Sequence, residues 1–470
     1  MPRTANTQLT LLLEAAGWGP AQFAAALRGI AAEQGLTLTV HLTTARRWLE
    51  GTQPRPPLPA LILECLSRRL GRRITAHEAG FTRAPAQLVD PAWEADPVRK
   101  LIHLTHAELD PHRRALLGAG VLTATALALP ARGEIPAAPD RPAPDRPAPD
   151  RRAPDRPAPD RRAPDRPAHS GRAAESDLEQ LRTMASVFAT SADQYGGRHV
   201  RAALAAYLAH EVAPLLHRPA HTRVHHGLLA ATARLALLLG SICADSGHHS
   251  LAQHYHQIAA RLAADADDHA TLAIALRTMA THAHDLGQHT PAVLNLAERA
   301  DQYARHAPPA VRAYTHVHLA VLNAHHDRHA AVTALLRAER LHLEADDEPG
   351  PFSSYPAGAL HYQRAQTLAT LKDRTGALAA LTTSLRLRTP TERLPSALTR
   401  ARLAETHLRL GHLEPALTHW QALLDAYPTL RSVRADQRLT AAVQHLRPYQ
   451  RRADVADLLD RITERTSPPW

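Results

Sequence analysis

The sequence has little cysteine and few aromatic residues. Only two cysteines, Cys65 and Cys243, occur among 470 residues, and they lie far apart without a Cys-x-x-Cys motif. Neither a disulfide framework nor a thiolate zinc site is indicated, and a reducing cytosol is the expected compartment. Aromatic residues make up only 4% of the chain, so alanine and leucine must fill the core. This composition suits close-packed helices and excludes an all-β fold, which would draw on Val, Ile, Tyr and Phe.

Motifs that carry enzymatic chemistry are missing as well. The sequence contains no HExxH, GxSxG or Walker-type GK[ST] motif, and no serine or cysteine stands in a recognisable nucleophile motif. Gly118-Ala119-Gly120 is half of a dinucleotide-binding fingerprint, but no predicted strand precedes it and no third glycine follows. We therefore expect no enzymatic activity, no catalytic residues and no cofactor.

Histidine, by contrast, is abundant, with 32 residues. The pairs His221/His225 and His325/His329 have the i, i+4 spacing that places two imidazoles on one helical face. No carboxylate or thiol is clustered with either pair. We interpret the histidines as surface residues of a chain with only two lysines, and a ligand role is the alternative. The sequence predicts no metal site.

Positive charge is concentrated near the N-terminus. The formal net charge is +10, and seven arginines lie between positions 41 and 73, against Glu50 and Glu64: Arg46, Arg47, Arg55, Arg68, Arg69, Arg72 and Arg73. This concentration favours a polyanionic partner, because neutralising phosphates releases condensed counterions. A solvated charged face is the alternative. Since 53 of the 55 basic residues are arginine, the arginine content by itself reflects a high-GC genome.

Helical patterns and their breaks divide the chain into four parts. Residues 1–82 contain apolar runs that end at Gly17, near Gly35, at Gly51 and at Gly71, which predicts four short helices. In the third, Thr43 or Thr44 is expected to cap a helix from Ala45 to Glu50. Residues 83–131 are a predicted connector. Six copies of Ala-Pro-Asp-Arg then predict a disordered, semi-rigid linker over 132–174, and continuous helical patterning covers 175–470.

The connector carries an uncharged segment, 115–131, directly after Arg113-Arg114. We favour a helix packed within the protein or against a partner, because the segment is short for a membrane span and rich in small residues. A single span that keeps the N-terminal part cytosolic and an export signal are the alternatives. The expected location is cytoplasmic, with single-pass membrane association through 115–131 as the second possibility.

A repeat of about 40 residues runs through the last part. Leu286-Gly287 precedes Ala292 and Leu296, and Leu410-Gly411 precedes Ala416, Trp420 and Pro428 in the same order. Gly247 begins another copy 40 residues before Gly287, while the copy around His325 lacks the turn glycine. This pattern resembles the tetratricopeptide repeat, which implies antiparallel helix pairs stacked into a solenoid with one extended concave face.

The N-terminal part carries a second resemblance. Thr43-Thr44-Ala45-Arg46-Arg47-Trp48-Leu49-Glu50-Gly51, followed by Arg55-Pro56, resembles the recognition helix and following turn of lambda-repressor-like (XRE-type) helix-turn-helix domains. The resemblance implies that Ala45, Trp48 and Leu49 face the core. It also implies that Thr43, Thr44, Arg46 and Arg47 point outward, at the amino end of a helix in the DNA major groove, while Arg55 contacts phosphate. A long insertion, from Ala31 to Leu42, departs from the family.

The whole arrangement resembles actinobacterial multidomain transcriptional regulators that couple such a domain to a tetratricopeptide-like sensor. Gln194-Tyr195-Gly196-Gly197 and Ala244-Asp245-Ser246-Gly247 carry this further resemblance. It implies an all-α protein that binds double-stranded DNA sequence-specifically and carries an unidentified protein, peptide or small-molecule effector on its solenoid. Pairing into a homodimer is left open. A scaffold that does not bind DNA, or a membrane-tethered signalling protein, is the alternative.

Overall fold

A computed structural model of the chain describes residues 5–33, 40–55, 58–70, 72, 74–81, 96–110, 172–345 and 354–466. Every regular element in these ranges is helical, which confirms the predicted all-α class. The uncharged segment 115–131, the Ala-Pro-Asp-Arg repeats and most of the predicted linker lie outside the described residues.

Four helices form the N-terminal unit, as predicted: α1 (Thr7–Ala16), α2 (Pro20–Glu33), α3 (Leu42–Leu49) and α4 (Leu58–Leu70). Their apolar faces enclose a core of their own, in which Phe23, Leu27 and Leu61 are fully buried. Gly17 ends α1 in the left-handed conformation, with φ at 66°.

The start of α3 differs from the prediction. The helix begins at Leu42, with His41 at its N-cap and no side-chain capping bond, so neither Thr43 nor Thr44 caps it. The reason lies one residue earlier, where Val40 is buried and its carbonyl accepts a 2.6 Å hydrogen bond from Arg28. Because the core fixes the chain at Val40, the helix begins directly after it.

The predicted connector also contains a helix, α5 (Pro97–Leu109), which Asp96 caps by accepting a hydrogen bond from the Val98 amide. Leu101 and Leu104 are fully buried in the same apolar core as the helices of the C-terminal part. Residues 97–109 are therefore part of the solenoid, although the sequence had placed them in the connector 83–131. Their apolar side chains recur every three to four residues, and this pattern places one face of α5 in the core.

The C-terminal part begins with α6 (Glu175–Tyr195) and α7 (Gly197–Tyr207), which continues through a π-helical turn (Leu208–Val212) into α8 (Ala213–Leu216). Consecutive antiparallel pairs follow, and this solenoid-like packing agrees with the predicted fold class. The pairs are α9 (Thr222–Asp245) with α10 (His249–Asp265), α11 (His269–Asp285) with α12 (Pro291–Ala304), α13 (Pro309–Asn323) with α14 (Arg328–Leu343), α15 (Ala357–Thr370) with α16 (Arg374–Leu387), α17 (Arg393–Arg409) with α18 (Leu413–Ala426), and α19 (Val433–Leu446) with α20 (Ala453–Thr466).

The turn within each pair explains the spacing of the glycines. Gly247, Gly287 and Gly411 adopt φ values of 82°, 81° and 83°, a left-handed conformation that glycine reaches without strain. Lys372 occupies the equivalent turn with φ at 69°, which is unusual for a residue with a side chain. The turn between α13 and α14 contains no glycine, in agreement with the degenerate copy seen in the sequence.

The two ends of the solenoid meet. The Arg431 amide donates a 2.7 Å hydrogen bond to the Tyr195 carbonyl, and the Arg198 amide donates a 3.0 Å bond to the Arg431 carbonyl. Helix α6 also packs against α17, five pairs further along the chain. The expected extended concave face is therefore closed on itself in this protein.

Among the residues that the structure describes, one helix, α9, is long and apolar enough to cross a membrane by length and composition. In the structure, 72% of its apolar window is buried inside the protein, as in the core helix of a solenoid. This is weak evidence for a membrane span.

Candidate nucleic-acid interface

One face of α3 packs against the core of the N-terminal unit. Ala45 and Trp48 are buried, and the Trp48 ring meets the edge of Phe23 on α2 at a centroid distance of 6.2 Å. Leu49 is partly buried against the same core. These three residues face inward, as the sequence pattern indicated, so the opposite face of α3 is directed to solvent.

Hydrogen bonds to backbone carbonyls fix the position of the segment that follows α3. The Asn6 amide donates to the Leu49 carbonyl at 2.8 Å, while its side-chain amide donates to the Ala79 carbonyl at 2.9 Å. Gly51 turns the chain with φ at 93°, and Gln53 donates to the Gly80 carbonyl at 3.1 Å. Because α1, α3 and the turn around residue 80 are joined in this way, the position of α3 is fixed within its domain.

The fold itself uses three of the clustered arginines. Arg68 forms a 2.6 Å ion pair with the buried Glu64, and Arg69 donates to the Ala16 carbonyl at 2.8 Å. Arg72 forms a 2.6 Å ion pair with Glu78. Hydrogen bonds from Thr75 and Arg72 lower the pKa of Glu78 to about 2. All three guanidinium groups are thus bound by partners within the domain.

Three others are not used in this way. Arg46, Arg47 and Arg55 are exposed, and their guanidinium groups make no hydrogen bond or ion pair with any residue that the structure describes. Arg73 lies outside the described residues. Of the six arginines that the structure describes in this stretch, three are unengaged, and they lie on α3 and on the segment just after it.

The predicted contact residues keep their outward orientation but differ in position along the helix. Thr43 is exposed and Thr44 half-buried in the first turn of α3, whereas Arg46 and Arg47 lie in its last turn. The earlier start of α3 accounts for the shift. A cation in the last turn also interacts favourably with the partial negative charge of the helix C-terminus.

Residues 9–82 match the family described as the SP15 N-terminal domain. The match covers 74 of the 470 residues, which are α1 to α4 with their connections, and it includes none of the solenoid. A search of curated proteins finds no significant relative of the chain.

A second concentration of charge lies where the solenoid closes. Arg434 donates a 2.8 Å hydrogen bond to Asp245, and the buried Glu405 accepts from Arg438 at 3.1 Å. Burial acts to raise the pKa of Asp285, but His284, Arg434 and Arg402 outweigh it and hold this pKa below its ordinary value. Half of the Asp285 side chain and half of the Arg434 side chain are accessible to water. We call these residues, Asp245, Asp285, Arg402, Glu405, Arg434 and Arg438, the central charged cluster.

The histidines meet in a different combination from the one that spacing indicated. His325, in the turn before α14, contacts His284 and His289 from the neighbouring pair of helices. The expected partner was His329, at the start of α14. Local spacing does not connect the three histidines that meet, because their proximity depends on how consecutive pairs stack. Aligning the repeat would have found part of the signal, since His284 and His325 both lie beside the turn of their own pair.

Proposed function

We propose that this protein is a transcriptional regulator that binds double-stranded DNA sequence-specifically through the exposed face of α3. The supporting observation is that Arg46, Arg47 and Arg55 are exposed and unengaged while the neighbouring Arg68, Arg69 and Arg72 are all bound within the domain. A surface that served only solubility would have no reason to separate the arginines in this manner.

The proposed contacts follow from geometry. An eight-residue helix is about 12 Å long, and the major groove of B-form DNA is about 12 Å wide. Arg46 and Arg47 would each present a planar guanidinium to guanine O6 and N7, which is a bidentate arrangement. Thr43 and Thr44 would contact base edges or phosphates, and Arg55 would contact a phosphate.

Selection of bound sequences from a random DNA library, followed by affinity measurement on the selected site, tests this proposal. Arg46→Ala or Arg47→Ala should weaken binding by about 1–3 kcal/mol and relax the preference at one base step. Arg55→Ala should weaken all sequences alike and lower the salt dependence. Arg223→Ala is the matched control, because this solenoid arginine is 93% exposed and its removal changes the net charge equally.

Two outcomes would contradict the proposal. One is that no sequence is enriched by the wild-type protein. The other is that Arg46→Ala and Arg223→Ala bind the selected site with the affinity of the wild type. The first result would favour a scaffold that does not bind DNA, with the basic surface a solvated face. The second would show that DNA is bound by a surface other than α3.

The solenoid would carry the effector, a protein, a peptide or a small molecule, and the regulator would act in the cytoplasm. The closed ends argue against a peptide laid along an open concave face. The central charged cluster offers charged groups that water reaches, and it is the place where a small polar effector would find partners. Because the N-terminal unit has its own core, a fragment of residues 1–95 should bind the selected DNA but lose any response to the cellular cue.

A further inference from the structure

Three histidines from two consecutive helix pairs meet at one edge of the solenoid. His284 lies in the last turn of α11, His289 in the turn that follows it, and His325 in the turn between α13 and α14. One ring nitrogen from each lies within 4.8 Å of the others, and the Nε2 atoms of His284 and His325 are 3.2 Å apart. His289 and His325 are exposed and stack at a centroid distance of 4.1 Å.

The spacing suits a metal ion. Tetrahedral Zn²⁺ binds imidazole nitrogens at about 2.0–2.1 Å, which places two ligand nitrogens about 3.3–3.4 Å from each other. The observed 3.2 Å between His284 and His325 is close to that value. The His289 nitrogen lies within 4.8 Å of the other two, so this exposed side chain would have to rotate to reach the third corner.

The carboxylate of Asp285 lies next to one of the three histidines. Nδ1 of His284 lies 3.7 Å from Oδ1 of Asp285, which is beyond hydrogen-bond length but within range of electrostatic attraction. If Nε2 binds the ion, Nδ1 carries the proton, and the carboxylate attracts it. Metal-bound histidines commonly have such a carboxylate partner on the nitrogen that does not bind the metal.

We propose that His284, His289 and His325 bind one divalent transition-metal ion of the zinc class, with a fourth position open to water. All three donors are imidazole nitrogens, which suit zinc and its neighbours and not Mg²⁺ or Ca²⁺, which prefer oxygen ligands. Within the described ranges this is the group of three that meets at ligand distance. The ion would join the α11/α12 pair to the α13/α14 pair and fix their relative position. The site is independent of DNA binding.

Zinc titration of the full chain without an affinity tag, in competition with a chromophoric chelator, tests the proposal. The wild type should bind one tight Zn²⁺ more than His284→Gln, His289→Gln or His325→Gln. Each of these variants should lower the zinc affinity of the site by more than about 100-fold, which exceeds the loss typical of changing a residue that only contacts a ligand. Asp285→Asn should weaken it by about 10–100-fold, as expected of an outer-shell partner. His329→Gln, an exposed histidine of the same helix pair, is the control and should leave the site intact.

Two further measurements separate a built site from general binding to a histidine-rich surface. Co²⁺ should give the visible absorption of four-coordinate cobalt with the wild type and with His329→Gln, but not with His325→Gln. Zn²⁺ should raise the unfolding temperature of the wild type and not that of His325→Gln, since an ion that binds only the folded state stabilises it. Equal zinc stoichiometry and affinity in the wild type and all three ligand variants would overturn the proposal. Circular dichroism of each variant checks that its helices are intact.

Discussion

Asp245 joins the two ends of the solenoid, and replacing it with alanine should open the closure. The carboxylate is 3% exposed at the end of α9. One oxygen accepts a 2.7 Å hydrogen bond from the Gly197 amide, at the start of the solenoid. The other accepts from the Ser432 hydroxyl at 2.6 Å and from Arg434 Nε at 2.8 Å, at its end. Asp245→Ala removes all three bonds at once.

The expected loss of unfolding free energy depends on the charge of Arg434, which Asp245→Ala leaves without its partner. Breaking a buried ion pair by removing one partner typically costs about 3–5 kcal/mol, because the other charge stays buried without compensation. The Arg434 side chain is half exposed and can regain water, so the loss should lie at the lower end, about 3 kcal/mol. Asp425→Ala is the matched control: its 2.9 Å pair with Arg461 is exposed and should contribute at most about 1 kcal/mol.

Urea unfolding of the full chain, followed by circular dichroism, measures the loss. Repeat proteins need not unfold in one step, so hydrogen exchange should accompany it. Peptides that cover residues 195–198 and 430–436 should exchange faster in Asp245→Ala, while those in α13 and α14 keep the wild-type rate. If Asp245→Ala and Asp425→Ala unfold at the same urea concentration and exchange alike at 430–436, the closure does not stabilise the fold and the reasoning is wrong.

Three other perturbations test neighbouring features. Gly196→Ala should lower the unfolding temperature clearly more than Gly287→Ala. Both positions have positive φ, which costs about 1–2 kcal/mol for alanine. At position 196, but not at 287, the new methyl group would also lie 2.7 Å from the Arg431 carbonyl oxygen. Lys372→Gly should raise the free energy of unfolding, measured in urea, by up to about 1 kcal/mol, because glycine adopts the left-handed turn without backbone strain. An unchanged or lower value would show that the backbone of Lys372 is not strained. The surrounding protein and Glu392 raise the pKa of Asp193 from 3.8 to about 6 against the opposing Arg388 and Arg434. The stability contributed by the protonated carboxyl is present below about pH 4 and lost as the pH rises to about 6, and it is small because the residue is exposed to solvent. Asp193→Asn should therefore unfold at a higher temperature than the wild type at pH 7, with the difference shrinking towards pH 4, and a difference independent of pH would contradict this.

Local pattern was enough to predict most of the helices. Periodic apolar residues and the glycines that end the runs located α1 to α4, and the same rule located the turns at Gly247, Gly287 and Gly411. The inward placement of Ala45 and Trp48 on α3 agrees with what the resemblance to helix-turn-helix domains implies. These features depend on residues within a few positions of each other, which is the range over which a sequence pattern is informative.

Features that depend on distant residues were not predictable in this way. Asp245 and Ser432 are 187 positions apart, and each looks like an ordinary residue at a helix end. The division of the arginines into engaged and unengaged ones follows from partners such as Ala16, which lies 53 positions before Arg69. The three histidines meet only because two pairs stack. In each case, the contact is created by packing and leaves no local signal.

The position of α5 changes how the two parts of the proposed regulator would communicate. The Ala-Pro-Asp-Arg repeats lie between α5 and α6, and both of these helices belong to the solenoid core. On α5, Glu108 accepts a 2.8 Å hydrogen bond from the Tyr255 hydroxyl and forms a 2.9 Å ion pair with Arg201. The N-terminal unit is therefore connected to the solenoid through residues 82–95 alone, and 14 residues span at most about 50 Å. A tether of that length keeps the N-terminal unit close to α5 whatever the length of the repeats. An effector that altered the packing around α5 would act on the point where this tether begins, and such a short connection transmits a change in position far better than a spacer of sixty residues.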